Sequence, residues 1–240
     1  MGRTYALSDI HGMGDLWNQI KAYLQSDDKL YFLGDAADRG PDGFKIMREL
    51  LADPRVIYLM GNHEMLMANG LSELRFPNKF FHKENFELWA YCNGGEITYE
   101  AWEQAGQDFS WIKRLNNLPA IATYTNTAGK EIILCHAGFT PGNKPADVYD
   151  LVWDRHHFYD TVNEEEYPNT IMVHGHTPAL LLEFRYLLRS KRPHAIINGA
   201  CFYDNNHKID IDTGAFATGK TVLLDLDTLE VIPFETDIIE

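Results

Sequence analysis

Three short apolar runs, each ending in a turn rich in ligand-type side chains and each followed by a helix-length stretch, constrain the fold of this chain more than any other feature. The first, Tyr5-Ala6-Leu7-Ser8, stops at Asp9-Ile10-His11-Gly12 and leads into Leu16, Ile20, Tyr23 and Leu24 at helical spacing. The second, Lys29 to Leu33, stops at Gly34-Asp35-Ala36-Ala37-Asp38-Arg39-Gly40; Pro41 and Asp42 then open a helix with apolar positions Phe44, Met47, Leu50 and Leu51. The third, Val56 to Met60, stops at Gly61-Asn62-His63-Glu64. Strands joined by helix-length connections lie parallel, and open α/β sheets take their ligands beyond the carboxyl ends of such strands. Asp35 is therefore the expected centre of a site. Taken alone, residues 34–40 could equally be an Asx-rich surface turn.

From Met65 to Leu118 the pattern turns helical and aromatic, with Phe76, Phe80, Phe81, Phe86, Trp89, Trp102 and Trp111, and it reads as a helical cap closed by Pro119. Core packing of small helices accounts for these rings better than ligand stacking. The second half is mostly strands with short connections, at Glu131–Cys135, Thr170–Val173, Ala195–Ile197, Lys208–Ile211, Thr221–Leu226 and Glu230–Pro233, which implies a second sheet. Its first two strands end in His136-Ala137-Gly138 and His174-Gly175-His176-Thr177, again ligand types at strand ends. No linker divides the halves, so one domain over residues 1–240, with the cap at about 65–118, is expected.

A net charge of -14 argues against a nucleic-acid partner, which needs clustered Lys and Arg, and suits divalent cations. Cys92, Cys135 and Cys201 have neither disulfide-framework nor CxxC spacing and are expected as buried thiols. The amino-terminal residues run straight into a strand pattern, and no apolar run approaches membrane-spanning length, so a cytoplasmic protein with no membrane partner is expected.

Two divalent cations close together need one carboxylate that bridges them and a mixed shell of oxygen and imidazole donors. Asp35 would bridge; Asp9 and His11 would complete one site, and Asn62, His136 and His176 the other. Such a shell suits two Mn²⁺, Fe or Zn²⁺ ions, with Mn²⁺ the first to try in vitro, over Ca²⁺ or Mg²⁺. Each histidine alone has a plainer reading as a capped or solvent-facing residue; five motifs in order do not.

This set resembles the calcineurin-like metallophosphoesterases, specifically the phosphoprotein phosphatase branch with its small bacterial and phage serine/threonine protein phosphatases. The matching motifs are Asp9-Ile10-His11-Gly12, residues 34–40, Gly61-Asn62-His63-Glu64, His136-Ala137-Gly138 and Gly175-His176-Thr177. The resemblance implies an α/β fold of two mixed β-sheets packed as a sandwich flanked by helices. It also implies a dinuclear phosphomonoester hydrolase in which a metal-bridging hydroxide attacks phosphorus in line. By the same resemblance His63, oriented by Asp38, would be the general acid, and Arg39 and Arg155 would clamp phosphate oxygens. Arg155 rests only on the short context Leu151-Val152-Trp153-Asp154-Arg155, where a surface arginine is the alternative. His174 is expected to be structural, and Asp212-Thr213-Gly214 to line the site without a catalytic role.

The expected substrate is a phosphorylated protein or small phosphomonoester, with a symmetrical dinucleoside tetraphosphate hydrolase as the rival and an inactive phospho-binding scaffold as the outlier. The loop from Pro141 to Leu151 offers only Lys144 against Asp147 and Asp150 for a longer polyanion, although Arg75, Lys79 and Lys83 of the cap could add charge. Residues 214–221 satisfy the phosphate-loop pattern GxxxxGK[ST], but the strand-like run that follows offers no helix amino terminus for phosphate.

Overall fold

The computed structural model describes residues 2–76, 84–143 and 145–237. Strands β1 (Thr4–Leu7), β2 (Lys29–Phe32) and β3 (Val56–Tyr58) pair in parallel, joined through helices α1 (Gly14–Tyr23) and α2 (Gly43–Ala52). Side chains along them alternate between two apolar clusters, as the two-residue period of a strand requires. Tyr5, Leu7, Leu30 and Phe32 face the helices together with Leu16, Ile20, Phe44, Met47 and Leu50. Ala6, Tyr31 and Leu33 face the other sheet. Leu51, expected on the apolar face of α2, is instead 37% exposed.

The helical insertion consists of α3 (Asn62–Arg75), α4 (Glu84–Ala90), α5 (Glu96–Gln104) and α6 (Ser110–Asn116). Phe86, Trp89, Trp102 and Trp111 are buried in the same cluster as α1 and α2, which is the core role expected of them. Phe76 is largely exposed, and Phe80 and Phe81 lie outside the described residues. Cys92, expected to be buried, is exposed, whereas Cys135 and Cys201 are buried.

The second sheet has the order β4-β5-β6-β9-β8-β7, formed by β4 (Ile121–Thr125), β5 (Glu131–Cys135), β6 (Thr170–His174), β7 (His194–Ile197), β8 (Ala200–Tyr203) and β9 (Lys208–Asp210). Between β5 and β6 lies the short helix α7 (Val148–Trp153). The final strands, β10 (Lys220–Asp225) and β11 (Val231–Glu235), return to the first sheet, β10 lying antiparallel beside β1. That departs from a second sheet built from the whole second half. Val222 and Leu224 bury against the opposite sheet while Leu223 buries against the helices, so β10 needs apolar cover on both faces, which its place beside β1 provides. The two sheets thus sandwich one apolar layer, with helices outside.

The phosphate-loop look-alike is a single helical turn, Ala215–Thr218, running into the β10–β11 hairpin, and the Lys220 ammonium lies 3.6 Å from the Glu235 carboxylate.

Candidate metal centre

At the carboxyl ends of β1 and β2 the ladder continues into the turns: Asp9 N donates to Gly34 O, His11 N to Asp35 O and Gly12 N to Ala36 O, at 2.9–3.1 Å. These bonds hold the two turns edge to edge. Gly12 has φ +70°, and a Cβ there would stand 2.3 Å from the Gly40 carbonyl oxygen, so only glycine lets the turns touch. Asp9, His11, Asp35, Asp38, Arg39 and His176 all have φ between 43° and 71°. Such backbone costs on the order of 1–3 kcal/mol per residue and persists only where the surroundings impose it, commonly at functional sites.

Asp35 lies between two groups of donors. Its Oδ2 is 3.5 Å from His11 Nε2 and 3.8 Å from His63 Nε2, whereas its Oδ1 is 3.5 Å from His136 Nε2 and accepts the His63 backbone N–H at 3.0 Å. One donor atom each from His11, Asp35 and His63 lie within 4.8 Å of one another, and so do those of Asp35, His136 and His176. Asp9 places Oδ1 3.9 Å from His11 Nε2, while its Oδ2 accepts from Ser8 Oγ and, at 2.9 Å, from the His176 backbone N–H. Asn62 Oδ1 lies 2.8 Å from His136 Nε2 and 2.9 Å from His176 Nδ1. All six residues expected as ligands are therefore together and buried.

The donor chemistry fits cations. His136 Nδ1 donates to Leu33 O at 2.8 Å, which turns its Nε2 towards the carbonyl oxygen of Asn62 and Nδ1 of His176. His176 Nε2 is buried without a hydrogen-bond partner, and such a convergence of oxygen and imidazole donors in a dry pocket suits a cation. His11 is fixed likewise, its Nδ1 donating to Ala37 O at 3.0 Å and its Nε2 turned to the carboxylates. Burial, before any other cause, holds His11, His63 and His176 well below the ordinary imidazole pKa, in the neutral form that binds metal. Burial with the nearby Asp9 and Glu64 pushes Asp35 up, the direction a bound cation reverses.

Beside the first group sits a second set of contacts. His63 Nδ1 is 2.7 Å from Asp38 Oδ2, and Arg39 donates to His63 Nε2 at 3.0 Å. Burial pushes the Asp38 carboxyl up to about 7. The helical insertion holds this turn: Trp89 Nε1 donates to the Asp38 carboxylate at 3.0 Å, Asp38 N donates to Thr98 Oγ1 at 2.9 Å, and Arg39 N donates to Gly94 O at 2.9 Å. Arg155 Nε donates to Thr177 Oγ1 at 3.0 Å, which places its half-buried guanidinium beside His176. His174 stays outside both donor groups, with Nε2 on the Tyr203 hydroxyl at 2.8 Å and Nδ1 on Gly175 O at 3.1 Å. Asp212 is buried, its carboxyl raised by burial and by nearby Asp9.

Sequence reasoning gave no role to Glu64, Thr98 or Ser8, and to Trp89 only a core role. Glu64 is fully buried and accepts from Asp35 N, Ala36 N, Gly61 N and Tyr58 Oη at 2.7–3.0 Å, tying the ends of β2 and β3 together. Its spacing three residues after Gly61 is the acidic half of a capping box, a signal legible in advance. Trp89 and Thr98 carry no such local signal, because their partner lies 51 and 60 residues away.

Comparison with known proteins shows the family and the fold. The family profile described as Calcineurin-like phosphoesterase matches residues 2–210. Bis(5'-nucleosyl)-tetraphosphatase PrpE [asymmetrical] of Bacillus cereus (strain Q1) is 27% identical over 94% of this chain and 91% of its own length. The protein of the same name from Anoxybacillus flavithermus is 24% identical over the same shares. Among solved structures, a metallophosphoesterase from Sphaerobacter thermophilus (TM-score 0.54, 12% identity, 99% of this chain and 88% of that one) shares the fold. So does a protein serine/threonine phosphatase from Saccharomyces cerevisiae (TM-score 0.53, 12% identity, 100% and 81%).

Proposed function

This chain belongs to the calcineurin-like phosphoesterases, and from that premise we propose that it is a two-metal hydrolase of nucleotide polyphosphates of the dinucleoside tetraphosphate kind. The observation that carries the two-metal part is the position of Asp35, whose two oxygens face different donor groups. Asp9, His11 and Asp35 would hold one cation, and Asp35, Asn62, His136 and His176 the other. When bound, the cations supply Lewis acidity and lower the pKa of coordinated water. The exposed Arg39 and the half-buried Arg155 would clamp phosphoryl oxygens and fix the phosphorus for in-line displacement. His63 would act as general acid towards the leaving oxygen once its Nε2, which accepts from Arg39 in this structure, takes up a proton, with Asp38 on Nδ1 holding the ring. We read residues 1–240 as one catalytic unit, in which α3–α6 brace the Asp38–Arg39 turn.

The substrate part is supported by the names of the curated relatives. Local charge adds nothing to that support. Asp147 accepts from Tyr149 N and Asp150 accepts from Ala146 N, so both carboxylates brace the start of α7. Arg75, a cation the insertion was expected to lend, instead lies over the rings of Phe76 and Phe109, while Lys79, Lys83 and Lys144 fall outside the described residues. One observation favours the second reading, a phosphomonoesterase acting on phosphoserine or phosphothreonine. The Asp38–His63 pair suits an alkoxide leaving group, which needs a proton more than a nucleotide does.

A turnover panel of diadenosine tetraphosphate, phosphopeptides and glycerol 2-phosphate with added Mn²⁺ tests the choice. Higher kcat/KM on the tetraphosphate is expected, with AMP and ATP as products if the cut is asymmetrical and two ADP if it is symmetrical. A phosphopeptide ranking first would establish the second reading.

A further inference from the structure

An aromatic stack leads from the metal centre to the surface along α7. The Trp153 ring meets His176 edge-on, with centroids 5.8 Å apart at 85°. Trp153 also stacks with Tyr149 one helical turn earlier, at 5.9 Å and 25°. Trp153 packs against the main core, which fixes its plane. Tyr149 is 59% exposed, and among the described residues no ring other than Trp153 contacts it. Arg155 lies two residues beyond Trp153 and is bonded to Thr177, next to His176. Arg155 and Tyr149 thus flank Trp153 in sequence, and Trp153 touches both His176 and the Tyr149 ring, so a phosphate held by Arg155 would have the Tyr149 ring nearby.

We propose that Tyr149, held flat by Trp153, is a stacking platform for an aromatic base carried on the phosphate substrate. It is a specificity element and takes no part in the chemistry. A core role explains Trp153 but not Tyr149, whose ring is mostly in water and buries little by lying on its neighbour. A ring already stacked on one face loses little conformational freedom when a base covers the other, which is how aromatic platforms bind bases without reading their edges. The selected class is a phosphate bearing a nucleobase, over a phosphate on an alkyl or peptide group. This rests on the nucleotide reading above and narrows it to a recognition element.

The test compares binding of AMP and ribose 5-phosphate, which share the phosphate and sugar and differ by the base, to the Mn²⁺-loaded protein by equilibrium dialysis. Wild type should bind AMP roughly tenfold or more tightly than ribose 5-phosphate, the scale of one base stacked on one ring. Tyr149→Ala should bring the two within about twofold, and Tyr149→Phe, which keeps the ring, should restore the preference. In wild type, adenine protons should show nuclear Overhauser contacts to the Tyr149 ring, a measurement independent of how the variants fold. Equal affinities in wild type, a preference that survives Tyr149→Ala, or adenine contacts elsewhere would overturn the platform. Failure to cleave diadenosine tetraphosphate together with a Tyr149-dependent AMP preference would defeat the polyphosphate reading and leave the platform standing.

Discussion

The two donor groups on either side of Asp35 are built differently. In the second, Asn62 Oδ1 approaches His136 and His176 to 2.8 and 2.9 Å, and His136 is otherwise bonded to the carbonyl of Leu33. In the first, the carboxylates approach His11 Nε2 only to 3.5 and 3.9 Å, and the other imidazole, His63, is also held by Asp38 and Arg39. One group is a closed holder fixed by the sheet. The other opens onto groups that would handle phosphate and protons. Under the proposed roles affinity and chemistry would be divided across one shared carboxylate, so changes at Asp35, at His63 and at the supports of each should have separable effects.

Asp35→Asn should break the comparison altogether, removing most bound metal and nearly all activity, because it weakens both groups at once. Full occupancy of both sites in this variant, by elemental analysis, would end the bridging assignment. His63→Asn should touch only the open group, leaving metal content intact and slowing hydrolysis by roughly 10² to 10⁴. That loss should shrink as the leaving group improves, and an equal loss on glycerol 2-phosphate and p-nitrophenyl phosphate would make His63 a positioning residue. Trp89→Phe keeps the packing but removes the indole N–H from the Asp38 carboxylate. The loss of a bond to a charged group, about 1.5–3 kcal/mol, should lower kcat by roughly 10- to 100-fold at unchanged metal content.

The smallest effect is on stability against pH. Asp35 and Asp38 have carboxyls raised by burial, Asp38 to about 7, so without metal their contribution is full below the unfolded pKa near 4 and is lost as pH climbs to and past 7. The lowered His11, His63 and His176 act oppositely, stabilising above pH 6.5 and costing stability as pH falls. Metal binding needs deprotonated carboxylates and neutral imidazoles, so the rise in Tm on adding Mn²⁺ should be larger at pH 8 than at pH 5.5. An equal rise at both would contradict this linkage.

Much of this was legible in the sequence because ligand types at strand ends are local signals. The three parallel strands, the helical insertion and the six candidate donors that the fold brings together could be read from short local runs. What escaped was non-local. β4 was missed because its Ala122 and Tyr124 are half-buried while Ile121 faces water, which hides the alternation. β10 could be read as a strand, but its return to the first sheet depends on partners more than 200 residues earlier. The anchoring of Asp38 by Trp89 and Thr98 is of the same kind. Glu64 could have been found from its capping-box spacing.

The shared carboxylate is the central claim, and electron paramagnetic resonance of the Mn²⁺-loaded protein tests it most directly. Two Mn²⁺ ions joined through Asp35, at the roughly 3.5–4 Å separation of two-metal sites, should give the signal of an exchange-coupled pair at two equivalents per chain. Asp35→Asn should abolish that signal. A spectrum of isolated Mn²⁺ ions at full loading, unchanged by Asp35→Asn, would contradict the account.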